Sequence, residues 1–288
     1  MRIITTLALL AIAINWAVAL DSTELFHFST SVDIENSALR PNGSLLLTTF
    51  DQGRLYTLNP SVPNAEAELV AALPGATALC GIAAIDTDKF AVIGGIRGNY
   101  SYTNETIYTV DFNANLTNPT VEVVSQIPNA IMLNGNAGIA FKDPLLTAPT
   151  NASTPIGVNG LKIAGDYMYF TNTAREIFAR VPIDGFGQKT GDIEVIAALN
   201  DAESYNWDDF VVLEDLNVAY LAQPDNAIAQ VSLDGEQKII VGGGDDGTTL
   251  VGTTSLAITQ DGKTLYATTR GGTVDGSVYG GQVVRVQL

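Results

Sequence analysis

Gly165-Asp166-Tyr167-Met168-Tyr169-Phe170-Thr171 reads as a tight turn followed by a strand, and it decides the fold. Gly and Asp supply the turn backbone. The aromatic and apolar run behind them suits a buried, pleated sheet. The design recurs four times: Pro41-Asn42-Gly43 before residues 45–49, Asp86-Thr87-Asp88 before 90–94, Asp215-Leu216-Asn217 before 218–222, and Asp261-Gly262 before 264–268. Each unit is followed by a second apolar run, at 53–58, 106–110, 176–181, 227–231 and 281–286. Turn positions 43, 88, 165, 216 and 262 are separated by 45, 77, 51 and 46 residues. Three of these gaps match the period of a four-stranded propeller blade.

The expected fold is therefore all-β, a six-bladed β-propeller with a shortened third blade. The 77-residue gap is too long for one blade and short for two, so a reduced blade over 121–148 fills it. Residues 20–288 divide into six units of about 45 residues. The strand near 26–29 is expected to close the ring against the last blade. Radial packing keeps sheet edges short and protected. A pair of β-sandwiches is the alternative, and the repeat spacing argues against it.

The chain has 288 residues, with 14 basic against 31 acidic side chains and a net charge of −17. That balance excludes nucleic acid as a partner, because phosphate neutralisation needs clustered Lys and Arg. One Cys forbids an intramolecular disulfide, and one His leaves a Ser-His-Asp triad a single possible base. A hydrophobic fraction of 46% is too high for disorder.

Residues 1–19 read as a signal peptide: Arg2, an apolar run over 3–14, then Ala17-Val18-Ala19 as a small-x-small cleavage pattern. The apolar run is shorter than the ~20 residues a membrane span needs. Residues 20–288 form one expected domain. Five sequons, at Asn42, Asn99, Asn104, Asn115 and Asn151, fit passage through the secretory pathway to a secreted or vesicular location.

Residues 35–43 (Glu-Asn-Ser-Ala-Leu-Arg-Pro-Asn-Gly) resemble the first blade of the senescence-marker-protein/gluconolactonase/regucalcin superfamily. So do Gly157-Val158-Asn159-Gly160-Leu161 with its strand, and residues 255–266. The stretch from Gly157 through Thr171-Asn172-Thr173-Ala174 to Arg180-Val181-Pro182-Ile183 is similar to a secreted fungal branch, the hetero-Diels–Alderases of tropolonic sesquiterpenoid biosynthesis. The superfamily resemblance implies a divalent cation, usually calcium, at the ring axis. Its ligands by position would be Glu35, Asn159 and Asp209, with Asp208 adjacent. The alternative for Glu35 and Asp209 is loop capping. The resemblance also implies that Asn134 faces substrate, and that the third blade lacks an outer strand pair after it.

The fungal branch implies a reaction. A hydroxylated tropolone-type precursor loses water to give an ortho-quinone methide, which adds [4+2] to a humulene-type alkene. Cycloaddition itself requires no cofactor. It needs two apolar partners held face to face, apolar walls, and a few donors for a ketone. Candidate catalytic residues are Asn134, Asn159, Tyr205 and Asp209, with Tyr205 or Asp209 assisting loss of water. Candidate substrate-binding residues are Met132, Trp207 and Phe210, where Trp207 and Phe210 could equally be inter-blade packing. No Gly-x-Ser-x-Gly elbow is present, and residues 242–247 lack the Lys of a phosphate loop. His27 reads as an edge histidine and Cys80 as core. Two other readings stand beside the pericyclase: a calcium-dependent lactonase, and a non-catalytic ligand-binding propeller. The expected partners are small apolar substrates, with no membrane span.

Overall fold

Each of the five turn–strand units becomes the middle of a four-stranded antiparallel sheet in the computed structural model, which describes residues 20–99, 101–127, 141–199, 206–243, 250–274 and 276–288. The N-terminal strand is β1 (Ser22–His27). Blade one holds β2 (Ile34–Leu39), β3 (Leu45–Thr49), β4 (Arg54–Leu58) and β5 (Glu68–Ala72). Blade two holds β6 (Ala78–Asp86), β7 (Lys89–Arg97), β8 (Tyr102–Asp111) and β9 (Thr120–Ile127). Blade three holds β10 (Val158–Ala164), β11 (Tyr167–Asn172), β12 (Ile177–Pro182) and β13 (Glu194–Ala198). Blade four holds β14 (Phe210–Leu213), β15 (Val218–Gln223), β16 (Ala227–Ser232) and β17 (Gln237–Gly242). Blade five is built on β18 (Thr253–Ile258) and β19 (Thr264–Thr269). A small hairpin, β20 (Gly272–Val274) and β21 (Ser277–Tyr279), precedes its third strand, β22 (Gln282–Gln287).

The fold is a propeller, but the described residues form five blades, not six. Residues 121–127, assigned from sequence to a reduced third blade, belong to β9. They pair with β8 through Val110↔Val121 and Tyr108↔Val123 and so complete blade two. The strands of that blade run to 8–10 residues and take up part of the long gap; residues 128–157, between β9 and β10, take up the larger part. Residues 141–157 add only a short 3-10 turn, Pro144–Leu146. Residues 128–140 lie outside the described residues.

The ring closes as the N-terminal pattern predicts. β1 adds to the outer edge of blade five, with Phe26↔Val283 and His27↔Gln282 in register. His27 stacks on Tyr279 at 4.3 Å, and its Nδ1 lies 2.8 Å from Glu24 Oε1. The Tyr279 hydroxyl donates to Glu24 Oε2 at 2.9 Å. No helix among the described residues is long and apolar enough to cross a membrane.

Apolar side chains on facing blades form the core. Leu46 and Leu55 meet Phe90 and Val110 between blades one and two. Tyr169 and Phe178 meet Phe210 and Leu221 between three and four, and Val218 and Ile228 meet Leu256 and Leu265 between four and five. Near the axis, threonine hydroxyls link neighbouring blades. Thr48 Oγ1 donates to Cys80 O (2.8 Å), Thr171 Oγ1 to Asp208 O (2.6 Å), and Thr254 Oγ1 to Ile34 O (2.8 Å). Each such bond contributes about 0.5–1.5 kcal/mol, and together they set the rotation of one blade against the next.

Gly160 marks a close approach between blades three and four. A Cβ there would stand 2.7 Å from Asp209 Oδ1 and 2.9 Å from the Phe210 ring. Gly160→Ala is expected to cost about 1–3 kcal/mol by overpacking. Urea denaturation measures it, and an unchanged midpoint would refute the close-approach argument.

Candidate functional site

The axis holds two chambers that share Asn159 as a wall. The upper chamber lies where the inner strands begin and has a volume of about 350 Å³. Its walls include Glu35 from β2, Asn159 from β10, and Asp208 immediately before β14. Arg97 and Tyr102 come from the β7–β8 hairpin of blade two, and Arg270 follows β19. The lower chamber lies toward the other ends of the same strands and measures about 490 Å³. The Ser255 hydroxyl sits 3.0 Å from both Asn36 Oδ1 and Asp209 Oδ2.

The structure thus brings Glu35 and Asn159 into one chamber with Asp208. Asp209, the residue that the family pattern puts in this set, is turned elsewhere. Lys162 Nζ donates to its Oδ1 at 2.7 Å and its Oδ2 at 2.8 Å, and its side chain is 3% exposed. Adjacent residues of an extended chain point to opposite sides, so a one-residue choice at 208/209 exchanges the chambers. Trp207 and Phe210 are fully buried in the core between blades three and four, with Phe210 in edge contact with Phe178 at 5.0 Å. They line neither chamber. Met132, Asn134 and Tyr205 lie outside the described residues.

Charge is unevenly held in the upper chamber. Burial pushes the Asp208 carboxyl well above the usual carboxylate range, and the nearby Glu35 and Asp209 push it further. Arg270 and a hydrogen bond from Asn159 oppose the shift. Asp208 therefore gives up its proton less readily than an ordinary carboxyl. Burial, then Cys80 and Glu35, also raise the Tyr102 phenol, which stays a donor at every physiological pH. Arg97 spans the rim, 3.5 Å from Asp33 Oδ2 and 3.8 Å above the Phe50 ring.

Oxygen-bearing groups of the kind that hold a cation meet here: the Glu35 and Asp208 carboxyls and the Asn159 amide. Asn159 Nδ2 donates to Thr173 Oγ1 at 3.1 Å, and the same amide hydrogen-bonds Asp208. Hard oxygen ligands of this kind suit calcium. No group of three or more His, Cys, Asp or Glu suited to a metal occurs among the described residues, so Asn159 and water would have to complete the shell.

Sequence reasoning missed Arg97, Tyr102, Arg270 and Lys162. Arg97, Tyr102 and Arg270 stand outside the inner strands on which attention was fixed. Lys162 had a signal: it lies three residues after Asn159, on the same inner strand β10.

No family model matches the chain. A Phoma sp. protein that carries the name hetero-Diels-Alderase is 24% identical over 313 residues, spanning 88% of this chain and 88% of its own length. A second protein of that name, from Sarocladium schorii, is 23% identical over 245 residues, spanning 67% of this chain and 61% of its own length. Among solved structures, a luciferin-regenerating enzyme superposes with a TM-score of 0.65 at 15% identity, covering 93% of this chain and 95% of that one. A calcium-binding protein, regucalcin, from Agrobacterium tumefaciens gives 0.56 at 15% identity, covering 93% of each chain. A gluconolactonase from Xanthomonas campestris gives 0.52 at 10% identity, covering 93% and 89%. The chain resembles the hetero-Diels–Alderases in sequence and the regucalcin-type propellers in fold.

Proposed function

We propose that the protein is a hetero-Diels–Alderase whose reacting centre is the upper chamber. The observation that carries this reading is the meeting of Glu35 and Asp208, from blades one and four, in one enclosed space with Tyr102, Asn159 and Arg270. A carboxyl that burial holds in its acid form, beside a second carboxyl group, provides for both an acid and a base. The protonated Asp208 gives its proton to the hydroxyl leaving a tropolone-type precursor, and the carbon–oxygen bond breaks to release water. Glu35 takes the proton from the ring hydroxyl, which becomes the ketone of the ortho-quinone methide. One proton enters and one leaves, so the pair returns to its starting state by exchange between the two groups. Tyr102 and Arg270 are donors for the ketone oxygen. Orientation of the humulene-type partner then supplies the rest of the acceleration. The sequence similarity to two proteins of that name supports the reading.

The test combines purified protein, a hydroxymethyl tropolone and humulenol. A changed adduct yield or stereochemical ratio against the spontaneous reaction is expected, and an identical outcome would remove the proposal.

The second reading is a calcium-dependent lactonase, favoured by the Glu35–Asn159–Asp208 oxygen set. These residues would hold the ion, which would polarise a lactone carbonyl and activate water. EDTA separates the two. Cycloaddition is expected to proceed at an unchanged rate in the chelator. Stoichiometric calcium binding by titration calorimetry, lost in Glu35→Gln and matched by chelator-sensitive lactone hydrolysis, would favour the lactonase instead.

The secretory reading extends to location. Asn42, Asn99, Asn104, Asn115 and Asn151 are all exposed, as glycan acceptors must be. Chain secreted from a eukaryotic host is expected to lose mass on treatment with peptide N-glycosidase. No loss of mass would refute the assignment.

A further inference from the structure

We infer that the lower chamber is a second small-molecule site, built for a compact apolar ligand with one carbonyl oxygen, which Lys162 receives. Its volume of about 490 Å³ falls in the range of ligand cavities. Leu39, Ile82, Ile107, Leu161, Val211 and Ile258 contribute aliphatic wall from the five inner strands and from β8. Against these walls stands one cation, Lys162, with its side chain 31% exposed.

The pairing of that cation selects the ligand. Asp209 takes two of the ammonium's N–H groups, at 2.7 and 2.8 Å, and its Oδ2 also lies 3.0 Å from the Ser255 hydroxyl. An ammonium has three donors, so one remains for the chamber. The pair is neutral as a unit, and the whole chain carries −17. A carboxylate ligand would therefore meet no net attraction. A neutral carbonyl meets a charge-assisted donor and gives up little hydration to reach it. The aliphatic walls take up the remainder of the molecule by burial. Neither Glu35 nor Asp208 lines this chamber, and Asn159 is the shared wall, so the site is centred apart from the proposed reacting centre.

The experiment uses the full chain with isoleucine δ1-methyl groups labelled with carbon-13. Three twelve-carbon probes are compared: cyclododecanone, cyclododecane and dodecanoate. Cyclododecanone is expected to shift the methyl signals of Ile82, Ile107 and Ile258, while that of Ile156, which lines the upper chamber, stays in place. Its affinity should exceed that of cyclododecane and of dodecanoate by about tenfold or more, the value of one hydrogen bond to a charged donor. Ile107→Trp, which fills the chamber from blade two, should abolish the shifts. Because Lys162→Met alone would strand the Asp209 charge, the donor is tested in the neutral double variant Lys162→Met/Asp209→Asn. That variant should bind the ketone no better than the hydrocarbon. Shifts centred on Ile156, equal affinity for ketone and hydrocarbon, or no binding at all would each overturn the inference. None of these results depends on cycloaddition, so failure here leaves the proposed function untouched, and the converse holds.

Discussion

Asp208→Asn is expected to slow loss of water from the tropolone-type precursor by about 10²–10⁴-fold, the usual loss on removing a general acid. The same variant should be at least as stable as the parent at neutral pH. Both effects have one origin. Burial, Glu35 and Asp209 raise the folded Asp208 carboxyl above its ordinary value of 3.8. The folded chain then holds this proton to higher pH than the unfolded chain does. The contribution to stability is complete below the ordinary value and is lost as pH rises through the folded value. Asparagine carries no charge at any pH and escapes that loss. Denaturation midpoints across the pH range should accordingly fall less steeply for Asp208→Asn than for the parent.

Activity follows the same sign. The acid is competent while protonated, so the dehydration rate should decline as pH rises through the folded Asp208 value. A quinone methide generated photochemically bypasses this step. With it, Asp208→Asn should give the parent's stereochemical ratio, because binding and orientation remain. If the variant dehydrates the precursor at the parental rate, Asp208 is not the acid. If it loses the ratio even with preformed quinone methide, the residue shapes the chamber instead.

Five turn–strand units were written plainly in the sequence, and all five became second strands: β3, β7, β11, β15 and β19. The runs behind them became β4, β8, β12, β16 and β22. Local chemistry suffices for these, since turn residues and β-branched or aromatic runs carry their own geometry. The sixth blade rested on a different kind of inference, the division of chain length by a standard repeat. It failed because the excess chain goes elsewhere: blade two spends 9–10 residues on strands for which blade one spends 5–6, and residues 128–157 separate β9 from β10, where only five, 73–77, separate β5 from β6. Strand length follows the extent of pairing, and that is decided between strands and not within them. The candidate site shows the same divide. The family resemblance points to Glu35, Asn159 and Asp209; Glu35 and Asn159 share a chamber with Asp208, and Asp209 lines the other one. Which of two adjacent carboxylates faces upward is fixed by partners far away in the chain, Lys162 and Ser255 on one side and Arg270 on the other.

Arg40→Met should destabilise the protein by about 3–5 kcal/mol, the range for breaking one side of a buried ion pair. Arg40 and Asp88 lie in the first hairpin turns of blades one and two, 48 residues apart. Arg40 Nε donates to Asp88 Oδ1 at 2.9 Å and Nη2 to Oδ2 at 2.7 Å, with side chains only 3% and 10% exposed. Nη1 donates to the Leu116 carbonyl at 3.1 Å, and the guanidinium lies 3.6 Å above the Phe112 ring. One planar group thus ties two loops of blade two, the β6–β7 turn and the β8–β9 connection, to blade one. Removing it strands the Asp88 carboxylate in a site closed to water. For a domain of this size the loss corresponds to roughly 6–20 °C in the melting temperature. Arg40→Lys keeps the charge but not the fork or the stacking, and should fall between parent and Met. Asp88 has a left-handed backbone (φ 47°), which asparagine tolerates, so Arg40→Met/Asp88→Asn removes the stranded charge without new strain. That double variant should recover a substantial part of the loss. If lysine serves as well as arginine, or the double variant is no better than Arg40→Met, the fork geometry and the buried charge are not what hold these two blades together.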